Sequence, residues 1–284
     1  MAKRRMIPTL AAVLVLILAA VSCGGDDEEA TPETGTETTA TEISPAFGTM
    51  EEGKLTIGSD IPFPPFEFRE GGELTGYDVE LVEEIASRLG LQTEWKPSPF
   101  DTIFTQLAAG RFDMVASATT ITEERQQQVS FTMPYYRAQQ ALTINKEETP
   151  DIASTDDLGD GDVVAVQSGT TGEAWARENL APNGVEVRSF PGAPDTYTAL
   201  EAGNVDGVIF DEPSAVDEAK RRSALEVAEV IETGEEYGFP VDPQNDELLT
   251  AVDAVLREMI DDGTYQQIYE KWFPDAAAGS VAEG

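Results

Sequence analysis

Leu107-Ala108-Ala109-Gly110-Arg111-Phe112-Asp113-Met114-Val115 has a counterpart later in the chain, Leu200-Glu201-Ala202-Gly203-Asn204-Val205-Asp206-Gly207-Val208. Leu, Ala, Gly, Asp and Val recur at the same places. Each copy reads as a helix end, a glycine stop, a tight turn and a buried strand. Helix–glycine–strand is a common unit, so the match stands either for chance or for two related α/β lobes. The surroundings of both copies alternate strand and helix. Lys54 to Gly58 reads as a strand, and Tyr77 to Leu89 as a helix with Val79, Val82, Ile85, Ala86 and Leu89 on one face and Gly90 as its stop. Gln92 to Lys96 reads as a strand. Asp101 is placed to cap a helix whose inner face is Ile103, Phe104, Leu107 and Ala108, and Phe112 to Ser117 follows as a strand. Around the second copy, Val163 to Gln167 reads as a strand and Glu173 to Leu180 as a helix. Alternation of this kind predicts layered α/β structure with mainly parallel sheets.

The expected organisation is a leader over 1–22, an acidic tether over 23–50, a first lobe over 51–143, a second over 144–232, a return to the first over 233–275 and a short tail over 276–284. Ala141 to Asn145 and Val230 to Gly238 are the expected crossovers. Gln244 to Phe273 carries Leu248, Val252, Val255, Leu256, Met259 and Ile260 at helical spacing and is expected to pack back on the first lobe.

With 284 residues, 40% hydrophobic and 25% charged, the chain has a globular composition. A net charge of −36 argues against nucleic acid and anionic lipid surfaces as partners. Lys3, Arg4 and Arg5 precede the apolar run Ile7 to Val21, which is short for a membrane span and has the form of a secretion signal. The run ends at Ala20-Val21-Ser22-Cys23, which resembles the lipobox of bacterial lipoproteins and makes Cys23 the expected acylation site. Cys23 is the sole cysteine, so no internal disulfide is possible. Asp26 to Thr49 is rich in Asp, Glu, Thr, Gly and Pro and is too polar to bury a core. The expected location is the cell envelope, lipid-anchored to the outer face of the cytoplasmic membrane or in the periplasm.

Ligands in open α/β sheets bind beyond the carboxyl ends of the strands. Four such ends lie here: Ser59-Asp60, Ser117 to Thr122, Gln167 to Gly172, and Phe210-Asp211-Glu212. At the second, Ala116-Ser117-Ala118-Thr119-Thr120-Ile121-Thr122-Glu123-Glu124-Arg125 runs from a strand through hydroxyl residues into a helix start. Thr122 suits an N-cap, and Glu123 and Glu124 suit the positive helix end, but Arg125 does not. Either Arg125 pairs with a neighbouring Glu, or the segment is a carboxylate socket, since a guanidinium matches a carboxylate with two parallel hydrogen bonds. By the register of the repeat, position 118 corresponds to 211. Arg125 and Asp211 should therefore face each other across a cleft, a pairing that suits the two charges of an α-amino acid. The absence of His and of spaced acidic clusters argues against a metal site.

Ser59-Asp60-x-x-Phe63-x-Pro65-Phe66-Glu67-Phe68, Gly76-Tyr77-Asp78-Val79-Glu80-Leu81, Phe100-Asp101, Thr120-Ile121-Thr122-x-x-Arg125, Phe131-Thr132-x-Pro134-Tyr135-Tyr136, Ser168-Gly169-Thr170-Thr171, Asp211 and Gly263-Thr264-Tyr265-x-x-Ile268-Tyr269-x-Lys271-Trp272-Phe273 together resemble the family 3 extracellular solute-binding proteins of polar amino acid ABC transporters. The resemblance implies a two-lobed periplasmic-binding-protein-like fold, each lobe a mainly parallel sheet flanked by helices, closing on an amino acid in the cleft between lobes. It implies that Arg125 clamps the α-carboxylate with Thr120 and backbone N–H groups near Thr122 and Thr170, and that Asp211 takes the α-ammonium. It places Phe63 and Phe100 on either side of the ligand side chain, with Asp60 at its far end. Ala118, Gln167 and Thr171 complete the implied ligand-binding set. Asp60 has the alternative role of capping the turn before Pro62, and Phe100 that of core. Tyr77, Tyr135 and Trp272 are read as packing. Glutamine-type members carry Lys where Gln167 stands and His where Phe210 stands, and histidine- and lysine/arginine-type members carry Ser where Ala118 stands. Asp60 between aromatic faces favours a basic or polar side chain.

The implied partners are the amino acid, ABC permease subunits and the membrane through Cys23. No cofactor and no catalytic residue are implied, and a monomer is expected. Two alternatives remain at this stage. One is a cyclohexadienyl dehydratase-like enzyme on the same fold, with Glu67 or Glu212 as its acid. The other is a tethered amino-acid sensor.

Overall fold

The computed structural model describes residues 47–274 and 280–281. The expected leader, Cys23, nearly all of the expected tether and most of the expected tail lie outside the described residues. Among the described residues no helix is long and apolar enough to cross a membrane.

The first lobe runs through Lys54–Ser59 (β1), the antiparallel hairpin Phe68–Glu70 (β2) and Glu73–Thr75 (β3), Tyr77–Arg88 (α1), Gln92–Pro97 (β4), Ile103–Ala108 (α2), Met114–Val115 (β5), Glu123–Gln126 (α3) and Ser130–Phe131 (β6). The second holds Tyr136–Asn145 (β7), Val163–Gln167 (β8), Thr171–Asn179 (α4), Glu186–Phe190 (β9), Ala193–Glu201 (α5), Gly207–Asp211 (β10), Glu212–Arg221 (α6) and Leu225–Tyr237 (β11). Pro240–Val241 (β12), Asp246–Asp261 (α7) and Thr264–Trp272 (α8) return to the first. The two five-stranded sheets have the orders β4-β1-β5-β12-β6 and β11-β7-β10-β8-β9. Strands β4, β1 and β5 are parallel in one sheet and β10, β8 and β9 in the other, and antiparallel strands complete each.

The repeat is structural as well as sequential. Gly110 and Gly203 both adopt left-handed φ, +64° and +67°, which a side chain would strain. In each copy the glycine N–H donates to the carbonyl three residues back, Leu107 or Leu200, and the next N–H closes the helix on Gln106 or Ala199. Leu107 and Leu200 are fully buried. Asp113 then ties its strand to the neighbouring one: its N–H donates to Thr56 O, and its carboxylate accepts the Thr56 N–H at 2.8 Å. Asp206 does the same with Val163, donating to its carbonyl and accepting its N–H, both at 2.7 Å. One helix–turn–strand device thus attaches β5 to β1 and β10 to β8.

Three local expectations change. The first crossing lies ahead of Tyr136 and not at Ala141 to Asn145, because those residues already pair within the second sheet. Asp101 lies in a short 3-10 turn, Phe100–Thr102, whose end leads into α2, so it caps no helix with its side chain. The strand expected over Phe112 to Ser117 is regular only at Met114–Val115, because beyond it the chain bends to bring the Ala118 N–H onto Asp78, 3.0 Å away.

The last strand of the first lobe before the crossing is β6, and the chain returns after β11 through Gly238 and Phe239. These two passages are bonded to each other: Tyr135 N–H donates to Tyr237 O and Thr132 N–H to Phe239 O. Tyr135 stacks on Phe239 at 4.1 Å and meets Tyr77 at 6.2 Å, and Phe66, Tyr136 and Phe273 pack on Tyr77 in turn. The second sheet takes in the crossing strands from Tyr136 and as far as Tyr237, where β7 and β11 pair antiparallel. On α7, Leu248, Val252, Val255, Leu256 and Met259 are buried as their spacing predicts. Truncating one such side chain costs about 2–5 kcal/mol.

Candidate functional site

A cavity lies between the sheets, beyond the carboxyl ends of β1, β5, β8 and β10. Asp60, Phe63, Phe100, Ala118, Thr120, Arg125, Gln167, Thr170, Thr171 and Asp211 line it, with Ser117, Ala193 and Phe210. Thr122 is not on the wall. Its hydroxyl caps α3, accepting the Arg125 N–H at 3.2 Å.

Arg125 is 7% exposed and has no carboxylate partner among the described residues. Its guanidinium donates to two backbone carbonyls, Thr120 O at 2.8 Å and Gly169 O at 3.1 Å, the second across the cleft. Phe100 and Phe104 lie 5.3 and 5.1 Å from it. Burial draws its pKa down, and the charges of Asp211 and Glu235 oppose this. A guanidinium has five N–H donors, so two carbonyls leave capacity for an anion in the cavity.

Asp211 stands at the end of β10 and accepts from Gln140 Nε2 at 2.5 Å and from the Tyr237 hydroxyl at 2.6 Å. Burial, with the nearby Glu235 charge second, raises its pKa to about 7. Gln140 Nε2 also donates to Glu235 at 3.0 Å, linking the two acids. Glu235 further accepts from the hydroxyls of Thr120 at 2.6 Å and Thr171 at 2.9 Å.

Also on the wall, Gln167 Nε2 donates to Asp60 at 2.6 Å across the cleft and to Pro191 O at 3.2 Å. Burial raises the Asp60 pKa, and the bond from Gln167 opposes this. Phe63 of the first lobe meets Phe210 of the second at 5.4 Å and stacks on Phe66 at 5.9 Å. Asp60, Arg125 and Phe63 therefore each contact the other lobe.

Two buried acids stand behind the wall. Asp78 accepts from Ala118 N–H and from the Tyr135 hydroxyl at 2.8 Å, and burial pushes its pKa up to about 7. Ala118 has φ +42°, a left-handed conformation unusual for a residue with a Cβ. Glu67 accepts from the Ser117 hydroxyl at 2.9 Å, and that oxygen accepts the Asp60 N–H at 3.0 Å. Burial first, then the Asp78 charge, raises Glu67 well above the usual carboxylate range. Asp78 and Glu67 thus fix the backbone that presents Ala118 and Asp60.

Sequence reasoning did not single out Gln140, Glu235 or Tyr237. They sit on the crossing strands, where polar residues suit solvated positions equally well, and only the β7–β11 pairing brings them to Asp211.

Comparison with known proteins agrees with this architecture. Residues 55–275 match the model of the bacterial extracellular solute-binding proteins, family 3. The L-cystine-binding protein TcyJ of Escherichia coli (strain K12) is 34% identical over 225 residues, covering 78% of this chain and 84% of that protein. Among solved structures, an ancestral arginine-binding protein bound to arginine is 39% identical with a TM-score of 0.74, covering 78% of this chain and 98% of that one. The ancestral amino acid-binding protein AncCDT-1, a precursor of cyclohexadienyl dehydratase, is 37% identical with a TM-score of 0.73, covering 78% and 96%. With two lobes built on one repeated unit, a cavity at their strand ends and a match over most of its length, the chain belongs to the bacterial extracellular solute-binding proteins, family 3.

Proposed function

We propose that this solute-binding protein captures a free basic or polar L-amino acid and delivers it to the permease of an ABC importer. The observation that carries the proposal is the set of charges on the cavity wall: Arg125, the Asp211 whose charge acts on it, and Asp60. Arg125 suits the α-carboxylate and Asp211 the α-ammonium. The lining thus offers one cation and two acids, and a ligand with one carboxylate and two cationic groups is its complement. An amide side chain suits Asp60 as well, whereas an acidic one is repelled. The names of the relatives, an L-cystine-binding and an arginine-binding protein, support an amino-acid ligand.

In this mechanism the lobes open and close by bending of the paired crossing strands. The ligand bridges Arg125 and Asp211, so it favours the closed state. A thermal-shift screen of the twenty amino acids tests the proposal, because a ligand bound only by the folded state raises the melting temperature. Arginine, lysine or an amide should give the largest rise, and the absence of any rise would sink it.

AncCDT-1 is an amino acid-binding protein and a precursor of cyclohexadienyl dehydratase, so a cyclohexadienyl dehydratase-like enzyme is the second reading. The acids such chemistry would use do not line the cavity: Glu67 is bonded to Ser117 behind the wall, and Glu212 opens α6. Turnover of prephenate or arogenate by the purified protein would establish that reading over transport.

A further inference from the structure

We propose that Glu235 is a positioning residue of the binding site, which takes the hydroxyl protons of Thr120 and Thr171 and so turns both oxygens into acceptors facing the ligand. The proposal rests on the amino-acid reading above. A hydroxyl has one proton. Thr120 donates it to Glu235 Oε2 at 2.6 Å, and Thr171 donates to the same oxygen at 2.9 Å. The third threonine on the wall, Thr170, donates to Gln167 O at 2.8 Å. None of these hydroxyls retains a proton for a ligand carboxylate. The sequence reading gave Thr120 a part in holding the carboxylate, but this hydrogen bonding assigns its oxygen to a donor such as an ammonium. The carboxylate is then left to Arg125 and to backbone N–H groups, including those at the start of α4, which lack intrahelical acceptors.

The second consequence is mechanical. Thr120 belongs to the first lobe, Thr171 to the second, and Glu235 to a crossing strand. One carboxylate oxygen therefore fastens both lobes to the strands that must bend between them. Its other oxygen accepts from Gln140, which donates to Asp211. Glu235 thus aligns the acceptor corner, Asp211, Thr120 and Thr171, through hydrogen bonds from both lobes.

The test compares the full chain with its Glu235→Ala and Glu235→Gln variants. Calorimetry is run with L-arginine and with 5-guanidinopentanoate, which keeps the carboxylate and guanidinium but lacks the α-ammonium. In Glu235→Ala, L-arginine affinity should fall about tenfold or more beyond any fall for the des-amino compound, the size expected for lost hydrogen bonds to a charged group, because the two compounds share only the change in lobe closure. Glu235→Gln, with one carbonyl acceptor, should recover part of the loss. An equal loss for both compounds marks a merely structural role and overturns the proposal, as does no loss for either. If the unaltered protein binds neither compound, the basic-ligand reading fails separately. Small-angle scattering of the ligand-free proteins then decides: Glu235→Ala should have the larger radius of gyration, and an unchanged value overturns the positioning role.

Discussion

The two copies of the repeated unit end in opposite ways. In the second lobe, β10 runs straight into Asp211, and α6 begins at the next residue. In the first, β5 stops at Val115, Ala118 turns left-handed, and the chain travels on to a short helix before Arg125 appears. The acid is placed by a strand end. The cation is placed by a loop that Asp78, Ser117 and Thr122 hold in shape. A shared scaffold fixes where two groups meet, and the departure from the repeat fixes what charge each brings. A symmetric pair of ends would have set like against like, whereas this pair suits a zwitterion.

The largest expected break in the contrast is Arg125→Ala, which removes the cation and leaves a buried ligand carboxylate without its partner. Affinity should fall by about 3–5 kcal/mol. Isothermal titration checks it, and near-unchanged binding would remove Arg125 from the carboxylate role. Asp211→Asn attacks the other end and should cost about 1.5–3 kcal/mol. It should also alter the pH profile. Asp211 has a raised pKa, about 7, in the ligand-free protein, whereas an ammonium needs its ionised form. Affinity should be full above about pH 7 and weaken as pH falls, because binding must then expel a proton. In Asp211→Asn that slope should flatten, and an unchanged slope would assign the titration elsewhere.

Asp78→Asn sharpens the contrast at the loop's support. Asp78 holds its proton up to about pH 7 when folded and to its ordinary value of 3.8 when not. Between these values the folded state binds more protons, so stability falls as pH rises through the window. Urea midpoints at pH 5 and pH 7.5 should differ less in the variant than in the unaltered protein. The smallest effect is expected at Ala118→Gly, which relieves a left-handed φ at a residue with a Cβ. Ligand-free thermal unfolding should show a gain of up to about 1 kcal/mol, and a loss would mean the φ is not strained.

What the sequence made legible follows from range. The glycine turns, the helix faces of α1 and α7, and the strand ends carrying Asp60, Gln167 and Asp211 depend on local pattern, and the repeat linked two of them. Arg125 stood out because it opposes a helix dipole. Gln140, Glu235 and Tyr237 carry no such local conflict, and their meaning comes from β7 lying beside β11. Asp78 stands in the first turn of α1, a common place for an exposed acid, yet it is fully buried and its carboxylate accepts the Ala118 N–H. Local chemistry marks ends and turns, and only the assembled sheets show which polar side chains are withdrawn from water.

The bond from Arg125 to Gly169 O has one further consequence. The side chain suited to read a ligand's charge is also fastened to the opposite lobe, so recognition and domain movement share one guanidinium. A substitution there changes two equilibria at once, the intrinsic dissociation constant and the fraction of empty molecules already shut. The measured constant is the intrinsic one divided by that fraction. Variants at Arg125 therefore report a product, and separating its factors needs the empty protein's own opening equilibrium alongside every titration.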